Sequence, residues 1–477
     1  MIVEQLRMDP EADTRQRLLE MSKRFPTLHK LGQIIARNPH IDPEVKQWLI
    51  HLENGRYGTS NTDLVKRVRQ QLKHTGSLDS VQVRGAILAE ASVGAVIPFV
   101  ETPCANADAI DGVFKILKPG IRRQIDKELA ILEETAVFLE RNRERYPLQD
   151  FKFLEIFQEV GDMLVKEVNL AAEQAHLAEA AAFYDGMPAV QIPGLLPMCT
   201  GTMTAMDYLD GPKIIDADLT PEQRRQCAEV LFEALVCRPL FSPAEKALFH
   251  GDPHAGNILA VPTPGSRMPR IGLVDWSLAG WLPLHHRVKI VQLIQAILKK
   301  DLSGIRVAIT ALANGSCRGE TGRLRTQVLA FMRSAEFAGM PLMRKAFRLL
   351  EKLSYKGFVF PGGLMLFRKA LFTLEGVLND LCPGFDMDAA VLQYLAGVMA
   401  REIPKRFGGL LFPLIDRPEN YPSMISNMEL HSLAIHQYAT TLKAMTQAFW
   451  DSFAGWNRLF GISHGPVPAP VQVKAEN

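Results

Sequence analysis

The sequence predicts an α+β fold of two lobes, in which a small lobe that contains β-strands precedes a larger helical lobe. Residues 80–118 contain short β-prone runs, VQVRGAILAEASVGAVIPFV and DGVFKILK, which are bounded by Gly and Pro. From residue 219 onward, helical patterns dominate and are interrupted by ALFHGDPHAGNILAVPTPGSRMPRIGLVDWSLAG. This interruption predicts a loop, a strand, a hairpin turn and a second strand. The order of these pieces is the basis for the predicted fold class.

Helices are also predicted around the strands of the small lobe. Residues 1–75 have helical spacing, and apolar residues at spacings of four, three, four and three predict a helix over 125–139. Another helical stretch is expected at about 150–185, and GTMTAMDYLDGPKI predicts a strand that ends in a turn. The predicted parts are an N-terminal helical extension (1–78), a small lobe with inserted helices (79–211), a helical lobe (212–400) and a helical tail (401–477).

The composition argues against several classes of protein. A formal net charge of +2 over 477 residues does not suit a nucleic-acid binder, which needs clustered Lys and Arg. The six cysteines form no CxxC pair, which argues against a disulfide framework or a zinc site and favours a reducing compartment. The sequence shows no signal-peptide pattern and no apolar run near the ~20 residues that span a bilayer. We therefore expect a cytoplasmic protein that associates with membranes peripherally at most.

The stretch HGDPHAGN predicts a loop for phosphoryl transfer. Asp252 and Asn257 are five residues apart, which is the spacing of the catalytic Asp and the metal-binding Asn in a kinase loop. Asp275 follows the apolar run IGLV, where the second metal ligand is expected. Carboxylate and amide oxygens are suitable ligands for Mg²⁺. Asp252 is therefore predicted to act on the acceptor hydroxyl, and Asn257 and Asp275 are predicted to bind Mg²⁺.

Two other interpretations of the same stretch were weighed. His250 and His254 are four residues apart, as in a helical metal site, but Gly251 and Pro253 between them disfavour a helix. We therefore expect the two histidines to shape the loop rather than bind a metal. A structural turn, in which the Asp and the Asn satisfy backbone groups, is the second alternative. The position of VDWS after the next strand weighs against a turn with no further role.

The lysine that binds phosphate should follow a β-run and precede a helix. DGVFKILKPGI contains Lys115 within the apolar alternation and Lys118 at the end of the run. A lysine in an apolar strand is costly unless it is paired. We therefore predict that Lys115 binds phosphate and that Lys118 is a solvated turn residue. The sequence leaves the acidic partner of Lys115 open among Glu128, Glu133, Glu167 and Glu173.

The loop expected to cover the nucleotide is rich in alanine instead of glycine. LAEASVGAV contains Ala89, Ala91 and Ser92, with Gly94 as its one glycine. Alanine restricts the backbone more than glycine does. We expect this loop to be stiffer than a GxGxxG loop and to interact differently with the phosphates.

Taken in chain order, these segments resemble the motifs of the UbiB/ADCK (AarF-like) family of atypical kinases, which has a protein-kinase-like fold. KLGQ at residues 30–33 resembles the KxGQ motif, LAEASVGAV the alanine-rich loop and GVFKILKPGI the strand with the lysine. EVNLAAEQAH resembles the ExDxxxEAxN helix, TAMDYLDG the hinge and HGDPHAGNI the catalytic loop. The resemblance extends over roughly residues 30–385.

The resemblance implies a role for each matching residue. Lys115 and Glu173 would form the phosphate-binding pair, and Lys30 would pair with Glu167 in an extension that folds over the active site. Mg·ATP or Mg·ADP would bind between the lobes. Residues expected around the nucleotide are Lys30, Gln33, Ala89, Ala91, Ser92, Lys115, Glu167 and Glu173. The resemblance also implies ATPase activity or a small lipid-like or quinone-precursor substrate, and links to isoprenoid-quinone (ubiquinone) biosynthesis or lipid homeostasis.

Several positions depart from the pattern of this family. Asn169 replaces an acid of the ExD motif, which we expect to weaken Mg²⁺ binding or to alter docking of the KxGQ segment. His176 replaces an Asn, and Ala95 stands where a Gln is usual. DWS replaces DFG, so that Trp276 and Ser277 occupy positions that set the geometry of the loop.

The C-terminal region also differs from that of quinone-linked bacterial members, because their transmembrane pair is missing. Residues 423–460 instead predict an apolar-striped helical stretch that contains Trp450 and Trp456. We interpret this stripe as a surface that docks on the protein itself, because the basic flank of a membrane-surface helix is thin.

Three functions are compatible with these residues. The first is an atypical kinase or ATPase of the family named above. The second is a small-molecule phosphotransferase of the aminoglycoside or choline kinase type, which shares HGDxHxGN and a DW-containing loop but lacks a KxGQ extension. The third is a non-catalytic scaffold that binds nucleotide, which is suggested by Asn169 and the altered DFG segment.

Overall fold

The computed structural model describes residues 25–36, 60–85, 87–102, 109–142, 153–313, 315, 319–412, 416–439, 441–442 and 446. The chain forms two compact units. The first comprises Met1–Leu240, Lys246–Leu282 and Gly362–Ala390, and the second comprises Phe241–Glu245, Pro283–Pro361 and Val391–Asn477. All residues of the predicted site belong to the first unit.

The elements have the following bounds. The strands are β1 (Val81–Val83), β2 (Ala89–Glu90), β3 (Gly94–Glu101), β4 (Ile110–Leu117), β5 (Val190–Gln191), β6 (Met203–Asp207), β7 (Lys246–His250), β8 (Ile258–Val261), β9 (Arg270–Leu273) and β10 (Ala279–Pro283). The helices are α1 (Pro26–Ala36), α2 (Asn61–Thr75), α3 (Ile121–Arg141), α4 (Phe153–Glu167), α5 (Leu170–Tyr184), α6 (Pro221–Phe232), α7 (Arg238–Leu240), α8 (Leu284–Leu298), α9 (Leu302–Leu312), α10 (Thr321–Met332), α11 (Ala335–Ala338), α12 (Leu342–Tyr355), α13 (Gly362–Leu381) and α14 (Met387–Leu411).

The small lobe is built on an antiparallel sheet with the strand order β1-β3-β4-β6, in which β2 also pairs with β3. Phe114 and Ile116 of β4 are buried on one face, against the side of α2 that carries Leu64, Val68 and Leu72. Successive side chains of a strand point to opposite faces. The side chain between Phe114 and Ile116, that of Lys115, therefore lies on the other face.

A second apolar cluster packs α3 and α4 beside the ends of β3 and β4. Ile121, Ile125 and Leu132 of α3 contact Val160 and Leu164 of α4 within this cluster. The helix predicted from apolar spacing over 125–139 is therefore confirmed as part of α3. Helix α1 packs on both α3 and α4.

The helical stretch predicted at about 150–185 is two helices, α4 and α5, which are separated at residues 168–169. The Asn169 side chain accepts a hydrogen bond of 3.2 Å from the backbone N–H of Ala172 and so caps α5. Asn and Asp are comparably good N-cap residues. The Asn that departs from the ExD motif therefore keeps the capping function of an acid at this position.

The segment around HGDPHAGN contains the predicted hairpin. Strands β8 and β9 pair antiparallel from Ile258–Leu273 to Val261–Arg270, and β5 adds to β9 in parallel. Two strands that the sequence did not predict, β7 and β10, pair with each other and flank this hairpin in the chain. Gly280 permits their close approach, because a Cβ atom there would lie 2.3 Å from the ring of Phe249.

The second unit is helical in the described residues. In it, α8 packs on α9 and α12, and α10 packs on α9 and α12. Residues 427–439 are helical, and the segment before them is tied to α14 by a buried network around Arg406 and Glu402. Trp450 and Trp456 lie outside the described residues.

The strand-rich small lobe followed by a helical part has the two-lobed, protein-kinase-like α+β fold that the sequence predicts. Within the described residues, no helix combines the length and the apolar character needed to cross a membrane.

Candidate active site

Three charged side chains meet at the face of β4 that carries Lys115. The Nζ atom of Lys115 lies 2.6 Å from Oε1 of Glu173 on α5 and 3.0 Å from Oδ1 of Asp275, which follows β9. The fold thus brings together residues that are 58 and 160 positions apart in the chain. Of the four glutamates left open by the sequence, Glu173 is the one that contacts Lys115.

The charges of this triad shift the pKa values of its members. Burial acts to lower the pKa of Lys115, but the carboxylates of Asp275 and Glu173 outweigh it and raise that pKa well above its ordinary value. Burial acts to raise the pKa of Asp275, but Lys115 and the Ser277 hydrogen bonds hold it well below its ordinary range. Lys115 and Asp275 are therefore a charged pair at neutral pH.

Of the three residues, Glu173 is the one whose pKa lies near neutral pH. Burial raises the pKa of Glu173 to about 7, and the attraction of Lys115 does not fully offset this effect. One oxygen, Oε1, bonds to Lys115, whereas the buried Oε2 has no hydrogen-bond partner in the described part of the chain. Such an oxygen is costly to bury, which marks the position as one where a polar ligand would be favourable.

Asp252 and Asn257 lie on a loop that is held by its own backbone. The Asn257 Nδ2 donates to the backbone oxygen of Asp252 at 3.1 Å, and the backbone N–H of His254 donates to the same oxygen at 2.9 Å. The backbone N–H of Val274 donates to the backbone oxygen of Asn257 at 3.0 Å, which joins this loop to the one that carries Asp275. Asn257 thus has the turn-forming role of the structural alternative, and its amide oxygen remains the atom that can bind a cation.

The histidines of the same loop serve as hydrogen-bonding residues of the fold. His250 is buried; its Nδ1 accepts from the backbone N–H of Asp252 at 3.2 Å and its Nε2 bonds to the Val274 oxygen at 3.1 Å. His254 Nδ1 accepts from the backbone N–H of Gly256 at 3.0 Å. Both ring nitrogens of His250 are therefore occupied, and a metal site built on the two histidines is not formed. In the parts of the chain that the structure describes, no group of three or more His, Cys, Asp or Glu suits a metal ion.

A second ion pair lies beside the triad. Lys30 on α1 pairs with Glu167 at the end of α4, and the Ser92 hydroxyl donates to the other Glu167 oxygen at 3.3 Å. Leu31 packs on the α3–α4 cluster. The charge of Glu167 also acts on Glu173, where it raises the pKa. The KLGQ segment, with Gln33 on the same helix, is thus held next to the pair of Lys115 and Glu173.

The remaining glutamates have other roles. Glu128 accepts from the Thr27 hydroxyl at 2.6 Å and from the Thr27 backbone N–H at 3.1 Å, which holds the beginning of α1 against α3. Glu133 is exposed on α3. The structure thus distinguishes the four glutamates by their surroundings, which the sequence could not do.

The alanine-rich loop is a tight hairpin between β2 and β3. The Ala91 N–H donates to the Gly94 oxygen at 2.8 Å, and Ala89 stands opposite Val96. Ala89 and Ala91 are exposed, whereas Ser92 is buried. A Cβ atom at Gly94 would lie 2.8 Å from the backbone oxygen of Ile116, so the one glycine of this loop is required by the close approach of β4.

The prediction that Lys118 is a solvated turn residue is wrong. Its side chain is largely buried, and its Nζ lies 3.0 Å from a carboxylate oxygen of Glu90 in the alanine-rich loop. Burial lowers the pKa of Lys118, and Glu90 acts against this effect. The sequence reading missed Glu90, because the hairpin that folds it back over the end of β4 is a tertiary feature.

Comparisons with known proteins point to the same family as the motifs. The ABC1 atypical kinase-like domain matches residues 88–308. A protein named "Probable protein kinase UbiB" from Xanthomonas campestris pv. campestris is 26% identical in an alignment that covers 82% of this chain and 71% of the relative. The protein of the same name from Xanthomonas axonopodis pv. citri is 25% identical, over 69% of this chain and 61% of the relative. An uncharacterized protein from Synechocystis is 22% identical, over 80% of this chain and 66% of the relative.

The matched domain coincides with the site. Its bounds include Lys115, Glu173, Asp252, Asn257 and Asp275, whereas α1 with Lys30 precedes it. The aminoglycoside or choline kinase type and the scaffold are not favoured by these comparisons. Residues 88–308 are therefore an ABC1 atypical kinase-like domain, and the chain is similar over most of its length to proteins named "Probable protein kinase UbiB".

Proposed function

We propose that this protein is an ATP-dependent phosphotransferase or ATPase that binds Mg·ATP and Mg·ADP at the Lys115 site. The observation that carries the proposal is the position of Lys115 Nζ between Glu173, at 2.6 Å, and Asp275, at 3.0 Å. In phosphoryl transfer, a lysine held by a glutamate binds phosphate and a nearby Asp binds the metal. The same three residue types meet here in a kinase-like fold.

The residues fit a magnesium nucleotide. The available ligands are oxygens, from the carboxylate of Asp275 and the amide of Asn257, which suits a hard cation that keeps several waters. The Asp275 side chain is 39% exposed, so a ligand can reach it. The buried Glu173 Oε2, with no partner among the described residues, would gain one from a water or a ligand hydroxyl. When bound, Mg²⁺ supplies positive charge that stabilises the phosphate oxygens during transfer.

Each protein residue has a defined part in this proposal. Lys115 holds the phosphates, and Glu173 keeps the Lys115 ammonium oriented toward them. Asn257, through its amide oxygen, and Asp275, through its carboxylate, would hold the metal. Asp252 orients the hydroxyl of the acceptor or of a water and accepts its proton.

We further propose that the acceptor is water or a small, lipid-like molecule. The ion pair of Lys30 and Glu167, with Ser92 beside it, keeps α1 close to the nucleotide residues and favours a small acceptor over a protein segment. The resemblance implies a quinone precursor or another lipid and a role in isoprenoid-quinone biosynthesis or lipid homeostasis, and the composition favours a cytoplasmic protein with peripheral membrane association at most. The metabolite that accumulates in a strain carrying Asp275→Asn or Lys115→Ala would identify the pathway.

The primary test is nucleotide binding and turnover by the purified protein. We expect Mg·ATP and Mg·ADP to raise the melting temperature and ATP to be hydrolysed or consumed. Asp275→Asn should abolish the metal-dependent part of the stabilisation and of the turnover. Asp380→Asn, on the exposed side of α13, is the matched control and should behave as the wild type. Absence of binding and turnover in the wild type would refute the proposal.

Assays on the same purified protein distinguish the two alternative functions, the scaffold and the small-molecule phosphotransferase. Nucleotide-dependent stabilisation without turnover, even with membranes and candidate lipids present, would favour a scaffold. Phosphorylation of amino sugars or choline analogues in preference to lipid alcohols would favour the small-molecule phosphotransferase.

A further inference from the structure

Asp275 has a backbone conformation that requires support from its surroundings. Its φ angle is 58°, in the left-handed region, and among the described non-glycine residues Lys300 and Met424 are the others with positive φ. This region is sparsely populated by residues with a Cβ atom, although Asp and Asn tolerate it better than most. Such a conformation persists at a site when neighbouring groups hold it.

The residues before and after Asp275, Val274 and Trp276, each have a backbone oxygen that bonds to a histidine. On the N-terminal side, His250 Nε2 lies 3.1 Å from the Val274 oxygen, as described above. On the C-terminal side, His176 Nδ1 lies 2.9 Å from the Trp276 oxygen. A carbonyl oxygen only accepts hydrogen bonds. His176 must therefore carry a proton on Nδ1 to make this contact.

The His176 ring and its acceptor are both held by packing. Trp276 is fully buried, and its ring centroid lies 4.7 Å from that of His250 and 6.0 Å from that of Tyr184. The Trp276 Nε1 donates to the Leu273 oxygen at 3.3 Å.

On its other side, the His176 ring contacts Trp281 edge-on, with centroids 5.2 Å apart. Trp281 is itself held by a 2.6 Å hydrogen bond from its Nε1 to Glu179. His176 and Glu179 both belong to α5, three residues apart, so one helix orients both partners of this contact.

Helix α5 thus reaches the metal-binding segment through two different side chains. Glu173 acts on the side chain, through Lys115, which bonds to the Asp275 carboxylate. His176 acts on the backbone, through the carbonyl oxygen of Trp276, which is the residue after Asp275. The two residues are three positions apart, so they lie on the same face of the helix.

We propose that His176 is a positioning residue that holds the Asp275 carboxylate in the direction needed for the metal, by donating its Nδ1 proton to the Trp276 backbone oxygen. This inference deepens the proposed function, because it rests on Asp275 being a metal ligand. Groups that orient a metal ligand are worth about 10- to 100-fold in metal affinity when they are removed.

The geometry of the donor provides a sharp test. An Asn side chain carries its Nδ2 at the same distance from the backbone as His Nδ1, whereas Gln carries its nitrogen one bond further out. His176→Asn should therefore keep the hydrogen bond and His176→Gln should lose it, although both remove the imidazole ring. His431→Gln, at an exposed position of the second unit, is the control for loss of a histidine.

The first readout is the affinity for Mn²⁺ or Mg²⁺ at saturating ATP, compared with ATP binding in the presence of a chelator. We expect His176→Gln to weaken metal binding by about tenfold or more while binding of metal-free ATP stays within about twofold of the wild type. His176→Asn should restore most of the metal affinity. Equal metal affinity in the wild type and His176→Gln, or an equal loss in the Asn and Gln variants, would overturn the proposal.

The second readout requires neither metal nor nucleotide. In protein labelled with [15N]histidine, long-range 1H–15N correlations report which ring nitrogen carries a proton, and the His176 signals are assigned by their absence in His176→Asn. A proton on Nδ1 is expected, and an unprotonated Nδ1 would overturn the proposal even if His176→Gln failed to fold. A wild type that binds no nucleotide but has this protonation state would refute the proposed function and leave the hydrogen bond in place.

Discussion

Lys30 of α1 is paired with Glu167 at the C-terminal end of α4, six residues before the Glu173 that holds Lys115. Lys30 of the helical extension and Lys115 of the sheet therefore bind neighbouring carboxylates. Because the charge of Glu167 raises the pKa of Glu173, the state of the Lys30 pair bears directly on the Lys115 pair.

Loss of the Lys30 pair should loosen α1. Lys30→Met leaves the Glu167 carboxylate, which is 21% exposed, without its cation. Removing a hydrogen bond between charged groups costs about 1.5–3 kcal/mol, so limited proteolysis within residues 25–36 should become at least about tenfold faster. The matched control is Lys118→Met, which breaks the nearby Lys118–Glu90 pair at 3.0 Å and leaves the Lys30–Glu167 pair in place. Equal cleavage rates in the two variants would show that Lys30 does not hold the helix.

Gly94→Ala should destabilise the small lobe. The added Cβ atom would lie 2.8 Å from the Ile116 backbone oxygen, so β3 and β4 must move apart beside Lys115. Overpacking of this kind costs about 1–3 kcal/mol, which thermal unfolding would detect. Gly85→Ala is the control, because nothing lies within 4 Å of its added atom. An unchanged melting temperature for Gly94→Ala would mean that the strands adjust freely.

Glu173 should give the ligand-free protein a distinct pH dependence. Its pKa of about 7 lies above the ordinary value of about 4.3. The folded state therefore holds this proton more tightly than the unfolded state. The resulting stabilisation is fully present below about pH 4.3 and is lost as the pH rises through about 7.

Glu173→Gln removes this dependence and allows it to be measured. The free energy of unfolding of the variant minus that of the wild type should increase between about pH 5 and pH 7 and be level above pH 8. Denaturant unfolding without nucleotide, repeated across this range, measures the difference. Glu134→Gln, at an exposed position of α3, should give a flat difference. A flat line for Glu173→Gln would contradict the raised pKa.

The buried network of the second unit should be sensitive to loss of its cation. Arg406 bonds to Glu402, to the Ser423 hydroxyl at 2.9 Å and to the Ile425 oxygen at 3.2 Å. Arg406→Met leaves Glu402 buried without its cation, which costs about 3–5 kcal/mol. The double variant Arg406→Met with Glu402→Met should recover much of the loss, as chemical denaturation would show. Arg225→Ala, which breaks exposed ion pairs on α6, should have no measurable effect.

Patterns of neighbouring residues predicted much of the fold correctly. Apolar spacing predicted α3, and alternation in β4 separated Lys115 from Phe114 and Ile116, because strand side chains alternate between faces. The Gly and Pro of HGDPHAGN predicted a loop rather than a helix, and in that loop Asn257 Nδ2 donates to the Asp252 backbone oxygen. These features depend on residues that are close in the chain, so their physical cause is visible in the sequence.

Contacts between segments that are distant in the chain could not be predicted from the sequence in this way. The sequence offered four glutamates for Lys115, and only the packing of α5 against the sheet selects Glu173. Lys118 was predicted to be solvated, because nothing local to it shows that Glu90 folds back to pair with it. His176 and Trp276 are two departures from the family pattern that lie 100 residues apart in the chain, yet His176 Nδ1 lies 2.9 Å from the Trp276 backbone oxygen.

The sequence by itself therefore determined the kinds of element, the family motifs and the residue types that phosphoryl transfer needs. Tertiary structure decided which charged groups pair, since a buried charge is stable only beside the partner that folding brings to it. It also decided the left-handed backbone at Asp275, since the hydrogen bonds that hold this conformation come from His176 and His250, on either side of it.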